Sequence, residues 1–210
     1  MEDRDTFMEL LDRAAAFHGH LCSGQIVGVR LAMLGLRLLG IADPYGKDRK
    51  RLVVVVEVAR CAADAIMTVS GCRVGKRSFK IVDTGKVAAT FLDMATGRAV
   101  RIGLADGVPE SAAKSYPEME PHEAEKKAYM ELADSELFLV QDVGVPLQEE
   151  DTPGTPATRV RCAACGETVL DRREILRDGK TFCRPCAEGK TYYNYIHCSR
   201  DGEQPRDKVS

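Results

Sequence analysis

Two groups of cysteine and histidine in this chain have the types and spacing of metal ligands. Cys162 and Cys165 are separated by two residues, and further along Cys183 and Cys186 repeat the same spacing. A two-residue spacer lets both sulfurs of a tight turn reach one ion, and two such turns complete a tetrahedron of thiolates around zinc. Four thiolates leave no open position, so the zinc expected here is structural, folding a module too small to fold alone. Gly166 suits a positive-φ turn after the first pair. Asp178-Gly179-Lys180 reads as a hairpin turn leading to the second pair, and Cys186-Ala187-Glu188 as the start of a short helix. Together these suit a small treble-clef or ribbon zinc finger.

The second group is His18-Gly19-His20-Leu21-Cys22-Ser23-Gly24, just ahead of a predicted helix. A helix N-terminus carries partial positive charge, which favours the thiolate of Cys22. Cys61 occupies a matching place, between a predicted strand and the next helix. A site of His20, Cys22 and Cys61 would hold zinc or another thiophilic metal and leave a fourth position open, as in catalytic zinc sites. His18 and Cys72 are its possible neighbours; Cys72 stands beside Arg73, Lys76 and Arg77, whose charges lower a thiol pKa. The competing reading is plain: a loop histidine is usually solvated, and a buried cysteine is usually a small hydrophobe. Glu57 interrupts an otherwise apolar strand and needs a reason. Lys86, in Asp83-Thr84-Gly85-Lys86, is not a phosphate-loop lysine, because the glycine-rich lead is missing.

The elements that must position these residues follow from periodicity. Thr6 and Glu9 form a capping box ahead of an apolar helical face, Phe7, Leu10, Leu11, Ala14 and Ala15, which fades near Phe17. Gln25 to Leu39 reads as a buried helix stopped by Gly40. Leu52 to Val58 is a β-branched run of strand length, apolar enough for the most central strand of a sheet. Cys61 to Ser70 reads as a helix with Gly71 after it. Phe79 to Val82 is a strand, and Val87 to Met94 with Ala99 to Leu104 form a hairpin. Pro121 to Ala133 is a charged amphipathic helix, and Leu137 to Val143 a last strand. The reading is an α+β core, with five strands and flanking helices, over residues 1–147.

Residues 148–158, rich in acidic residues, Thr and Pro, read as a linker, with the zinc finger and its tail at 159–210. The charge differs across that boundary: the segment from Arg159 carries +3 and the remainder −5, within a net −2 for all 210 residues. A zinc ion with four thiolates would bring the finger to about +1, which makes nucleic acid an unpromising partner. A protein partner, or a second copy of the chain as a homodimer, is the better expectation. Tyr192, Tyr193 and Tyr195 form an amphipathic patch suited to covering apolar surface, and Cys198 has no evident partner. No run approaches the roughly 20 apolar residues of a membrane span, and the acidic start MEDRDTFMEL does not read as a signal peptide. The expected compartment is a reducing cytoplasm, where eight cysteines point to metal or thiol chemistry before disulfides.

FHGHLCSG, then RCAADAI and SGC, then the Asp-x-Gly-Lys stretch, in that order over roughly residues 5–145, resemble the FmdE family, named for formylmethanofuran dehydrogenase. The resemblance implies a mixed sheet with a thioredoxin-like outline, to which a C-terminal zinc module is added in many members. It places His20, Cys22 and Cys61 at the family's metal site, with His18 and Cys72 beside it; Ser23 stands where many relatives have proline. It also implies a metal-binding accessory to a molybdenum or tungsten enzyme of anaerobic, methanogenesis-related one-carbon metabolism. The alternative is a stand-alone enzyme using the metal, or the Cys22 and Cys61 thiols, for redox or hydrolytic chemistry. No general base stands clearly beside a nucleophile, which favours the first.

Overall fold

The computed structural model describes residues 2–155 and 158–194 and separates into two compact units, one ending at Leu147 and the other starting at Gln148. In the first, α1 (Glu2–His18) and α2 (Ser23–Leu39) precede β1 (Leu52–Val56), α3 (Cys61–Ser70) and β2 (Phe79–Ile81). Then come β3 (Ala88–Asp93), β4 (Ala99–Leu104), α4 (Val108–Ser115), α5 (Pro121–Glu131), the single turn α6 (Asp134–Leu137) and β5 (Phe138–Val143). The strands form one five-stranded mixed sheet in the order β2-β1-β3-β4-β5. β1 and β2 are parallel, and the other pairs are antiparallel. A parallel pair needs a long crossover, and α3 lies within it.

Register explains the apolar run of β1. Val54 and Val56 pair with Phe91 and Ala89, which in turn pair with Val100 and Ile102, and all six pack into the helix-side core. Val53 points the other way, onto Leu92 and Ala99, beneath Val143, Val145 and Leu147. Burial on both faces therefore produces the β-branched run. The middle strand, however, is β3, so Leu52–Val56 is interior rather than most central.

One local expectation changes, and two short helices stand where none is expected. α1 is already helical from Glu2, so Thr6 lies inside it and not at its N-terminus. α4 stands where the sequence carries no helix signal, because only Val108 and Ala112 of its residues are buried and no apolar stripe announces it. α6 is too short to leave a periodic signal.

In the second unit, β6 (Arg159–Arg161) pairs antiparallel with β7 (Thr168–Leu170), and β8 (Ile175–Arg177) with β9 (Lys180–Phe182). α7 (Arg184–Glu188) starts directly after Cys183. Asp178 and Gly179 both have positive φ. That is the pattern of a two-residue hairpin turn. Glu149 pairs with Arg172 at 2.8 Å and Asp151 with Arg173, so the front of the acidic stretch read as linker is ion-paired to this unit. Tyr192 and Tyr193 are exposed, with ring centroids 5.0 Å apart, while Tyr195 and Cys198 lie outside the described residues. No described helix is long and apolar enough to cross a membrane.

Candidate metal centres

The finger cysteines converge. The sulfurs of Cys162, Cys165, Cys183 and Cys186 all lie within 4.8 Å of one another. The β6–β7 turn presents the first two, with the Gly166 amide bonded to the Cys162 carbonyl at 3.0 Å; β9 and the start of α7 present the others. Burial raises the Cys162 thiol, but backbone amides of Cys165, Cys183 and Ala164 outweigh it and bring the pKa down to about 6. Burial, followed by the neighbouring thiols, pushes Cys186 up. Four sulfurs this close cannot all ionise unaided, and a divalent cation removes that conflict. The donor set fits zinc with no position left over.

The core cluster is built where three helix ends meet. α1 stops at His18, Gly19 turns the chain with a positive φ, and Cys22 is the N-cap residue of α2. α3 begins at Cys61. Nitrogens of His18 and His20 and the sulfur of Cys22 all lie within 4.8 Å of one another. The two imidazole centroids are themselves 4.8 Å apart. Cys61 is outside that trio but borders it: its Cβ and the Cys22 sulfur both lie close to Gly24, and burial, then the neighbouring Cys22 thiol, raises the Cys61 pKa. The set that the structure brings together is therefore His18, His20 and Cys22 with Cys61 alongside, whereas the sequence suggests His20, Cys22 and Cys61 with His18 as a neighbour.

Cys72 does not join them. It follows the far end of α3, a helix about 15 Å long at the usual rise per residue. It is buried, with its thiol 3.6 Å from the Leu52 carbonyl oxygen. Burial raises its pKa despite Arg73 and Lys76, and it serves as a core residue. Glu57 has a role elsewhere. It lies one residue beyond Val56, so alternation turns it away from the helices. Arg101 grips both of its carboxylate oxygens, at 2.6 and 2.8 Å. That guanidinium holds the Glu57 carboxyl below its ordinary range.

Close helix packing creates the core cluster. A Cβ on Gly24 would stand 2.8 Å from the Cys61 Cβ and 3.6 Å from the Cys22 sulfur. One turn on, a Cβ on Gly28 would stand 2.7 Å from the Ala62 carbonyl oxygen. Gln25, fully buried, donates from Nε2 to the Cys61 carbonyl at 2.6 Å and ties the first turns of the two helices together. Asp64, which the sequence did not single out, places Oδ2 2.8 Å from Nδ1 of His18. Its position one helical turn after Cys61 was the available signal.

Among the described residues, two buried polar atoms of this region, Nε2 of His18 and Oε1 of Gln25, have no hydrogen-bond partner. An orphaned nitrogen on an imidazole that clusters with a second imidazole and a thiol is what a missing ion would leave behind, so these residues fit a borderline-soft divalent metal. The cluster opens onto a cavity of about 840 Å³. Val27, Val58 and Val87 give it apolar walls, and Arg60, Asp83 and Lys126 give it charged groups.

The family model FmdE, described as molybdenum formylmethanofuran dehydrogenase operon, matches residues 17–143. A prokaryotic dksA/traR C4-type zinc finger matches 156–192. A probable S-adenosyl-L-methionine-binding protein of Archaeoglobus fulgidus is 27% identical over 206 residues, 89% of this chain and 54% of that protein. The chain thus spans about half the length of that relative. A crystal structure of a tungsten formylmethanofuran dehydrogenase FmdE-like protein from Syntrophus aciditrophicus matches at TM-score 0.59 and 19% identity, over 89% of this chain and 95% of that one, and shares its fold. With the FmdE match covering well over half of its length, the chain belongs to the FmdE family and carries a C4-type zinc finger behind the FmdE domain.

Proposed function

We propose that the FmdE domain carries an open metal centre for a small-molecule ligand, and that the finger's zinc is structural. The observation that supports this most is the cluster of His18, His20 and Cys22 within 4.8 Å, of which His20 and Cys22 line a cavity of about 840 Å³. Three protein ligands leave coordination free, and the cavity is of the size that holds metabolites. When bound, the metal supplies a Lewis acid. The chain's own residues orient the ligands through Asp64 and Gln25 and keep the Cys61 thiol close by. A protein accessory to a molybdenum or tungsten enzyme, contacting it or a second copy of itself through the finger, accords with membership of the FmdE family.

A stand-alone enzyme is the second reading, favoured by the cavity itself and by Cys61, a thiol that lines it without being part of the cluster. S-adenosyl-L-methionine, from the relative's name, is a ligand to try in that cavity. Metal analysis of the full chain and of Cys22→Ser and Cys183→Ser tests the two-centre reading. Each substitution should remove metal from its own centre only. Metal confined to the finger in all preparations, with cobalt failing to enter the core, would defeat it.

A further inference from the structure

We infer that Asp64 is the positioning residue of the core centre: it fixes the proton of His18 on Nδ1 and so turns the lone pair of Nε2 toward His20 and Cys22. This role rests on the metal reading above and specifies how one ligand is made ready. The bond spans 46 residues, from the C-terminal end of α1 to the first turn of α3, at 2.8 Å. An ionised carboxylate can only accept, so Nδ1 of His18 must donate. In a neutral imidazole the other nitrogen then has a free lone pair. That nitrogen is buried and finds no partner among the described residues.

The alternative tautomer is doubly unfavourable. It would set the Nδ1 lone pair against the Asp64 oxygen and bury an N–H with no acceptor. A ligand histidine whose second nitrogen is held by a carboxylate is a recurring arrangement at metal sites, where the carboxylate fixes ring orientation and raises ligand basicity. The His20 ring is exposed, so the two imidazoles are not equivalent. His18, its side chain 16% exposed, is the pre-oriented ligand, and His20 is the adaptable one. Asp64 itself is 38% exposed and supports no core packing, so its loss is not expected to unfold the domain.

The test uses the full chain with zinc in the finger. Long-range proton–nitrogen NMR on protein with labelled histidine, with His18 assigned through His18→Ala, reads the tautomer without metal. Cobalt(II) titration reads the affinity of the core. The wild type should show His18 protonated at Nδ1. Asp64→Ala should move the proton to Nε2 and weaken cobalt binding about 10- to 100-fold, with finger zinc unchanged and the domain still folded. Asp64→Asn, which keeps an accepting oxygen but not the charge, should lose less, and it serves if the alanine variant does not fold. An unchanged tautomer in Asp64→Ala, or wild-type cobalt affinity in the variants that fold, would overturn the inference. If the wild type takes up no cobalt in the core, the metal reading falls instead, and the NMR result alone decides what Asp64 does.

Discussion

The Gly28 backbone of α2 lies against the Ala62 backbone of α3: a Cβ on Gly28 would fall 2.7 Å from the Ala62 carbonyl oxygen and 2.8 Å from the Ala65 Cβ. Gly24, one turn earlier, stands in the same way against Cys61. Two helices can approach this closely only where side chains are absent from the contact. The result is that the first residue of α3 and the residue capping α2, Cys61 and Cys22, flank the same glycine: a Cβ on Gly24 would lie 2.8 Å from the Cys61 Cβ and 3.6 Å from the Cys22 sulfur.

Substitution in this contact should therefore be felt both in stability and at the site. Gly28→Ala has backbone and a short side chain in its way, so something must shift, at a cost of about 1–3 kcal/mol. Urea denaturation should show it as a lower midpoint. Gly24→Ala should move Cys61 off Cys22 and slow formation of a Cys22–Cys61 disulfide under a mild oxidant, followed by mass spectrometry. Wild-type midpoint and crosslinking rate in both variants would mean that the helices are not held by this contact.

The acid limb of stability should report Asp93. Arg51 grips its carboxyl at 2.7 and 3.2 Å and, against the opposing effect of burial, holds its pKa at about 2, below the ordinary 3.8. A depressed folded-state value stabilises the protein above the ordinary carboxylate range, and that stability is lost as pH falls from about 4 toward 2. Asp93→Asn should cost about 2 kcal/mol at neutral pH and flatten the fall in stability over that window. An acid limb as steep as that of the wild type would contradict this.

Glu57→Gln separates structure from site. Glu57 serves Arg101 across the sheet face away from the helices. The variant should lose about 1–3 kcal/mol of stability. Its cobalt uptake should match the wild type, measured by titration. A lost core metal would return Glu57 to the site.

Much of the fold was legible because local signals and tertiary placement agree. Cys61–Ser70 is a helix closed by Gly71, and Ala99–Leu104 is the second arm of its hairpin, as their patterns indicate. Where two signals disagreed, the sequence misled. Thr6 and Glu9 have capping-box spacing, but helix-forming residues precede them and the helix starts earlier. α4, with Pro109 in its first turn and hardly any buried side chains, looks like a loop until it packs on α5. The convergence of the cysteine quartet was legible, since all four sulfurs come from two closely spaced pairs. The core site was legible only in part. Spacing pointed to His20 and Cys22, but the choice between His18 and Cys61 as a closer companion depends on how α1 and α3 cross. Asp64 was easily passed over, despite its place one turn after Cys61, because an acid in the first turn of a helix needs no partner to be favourable there.

Cys183→Ser should strip the finger of its zinc and unfold it, because a structural zinc supplies folding free energy to so small a unit. The FmdE domain should melt as in the wild type, since each is a compact unit in its own right. Two-probe thermal melts with metal analysis check this. Retention of zinc at wild-type level, or a destabilised FmdE domain, would count against it.

X-ray absorption at the cobalt edge, on the full chain with zinc in the finger and cobalt(II) added to the core, decides whether the core is a mixed-ligand metal centre. Imidazole nitrogen and thiolate sulfur should scatter together, near the roughly 2.0–2.1 and 2.3 Å found for zinc. The imidazole contribution should shrink in His18→Ala, and the sulfur should disappear in Cys22→Ser. A cobalt shell made of oxygen alone, or of sulfur alone, would contradict a centre built from His18, His20 and Cys22.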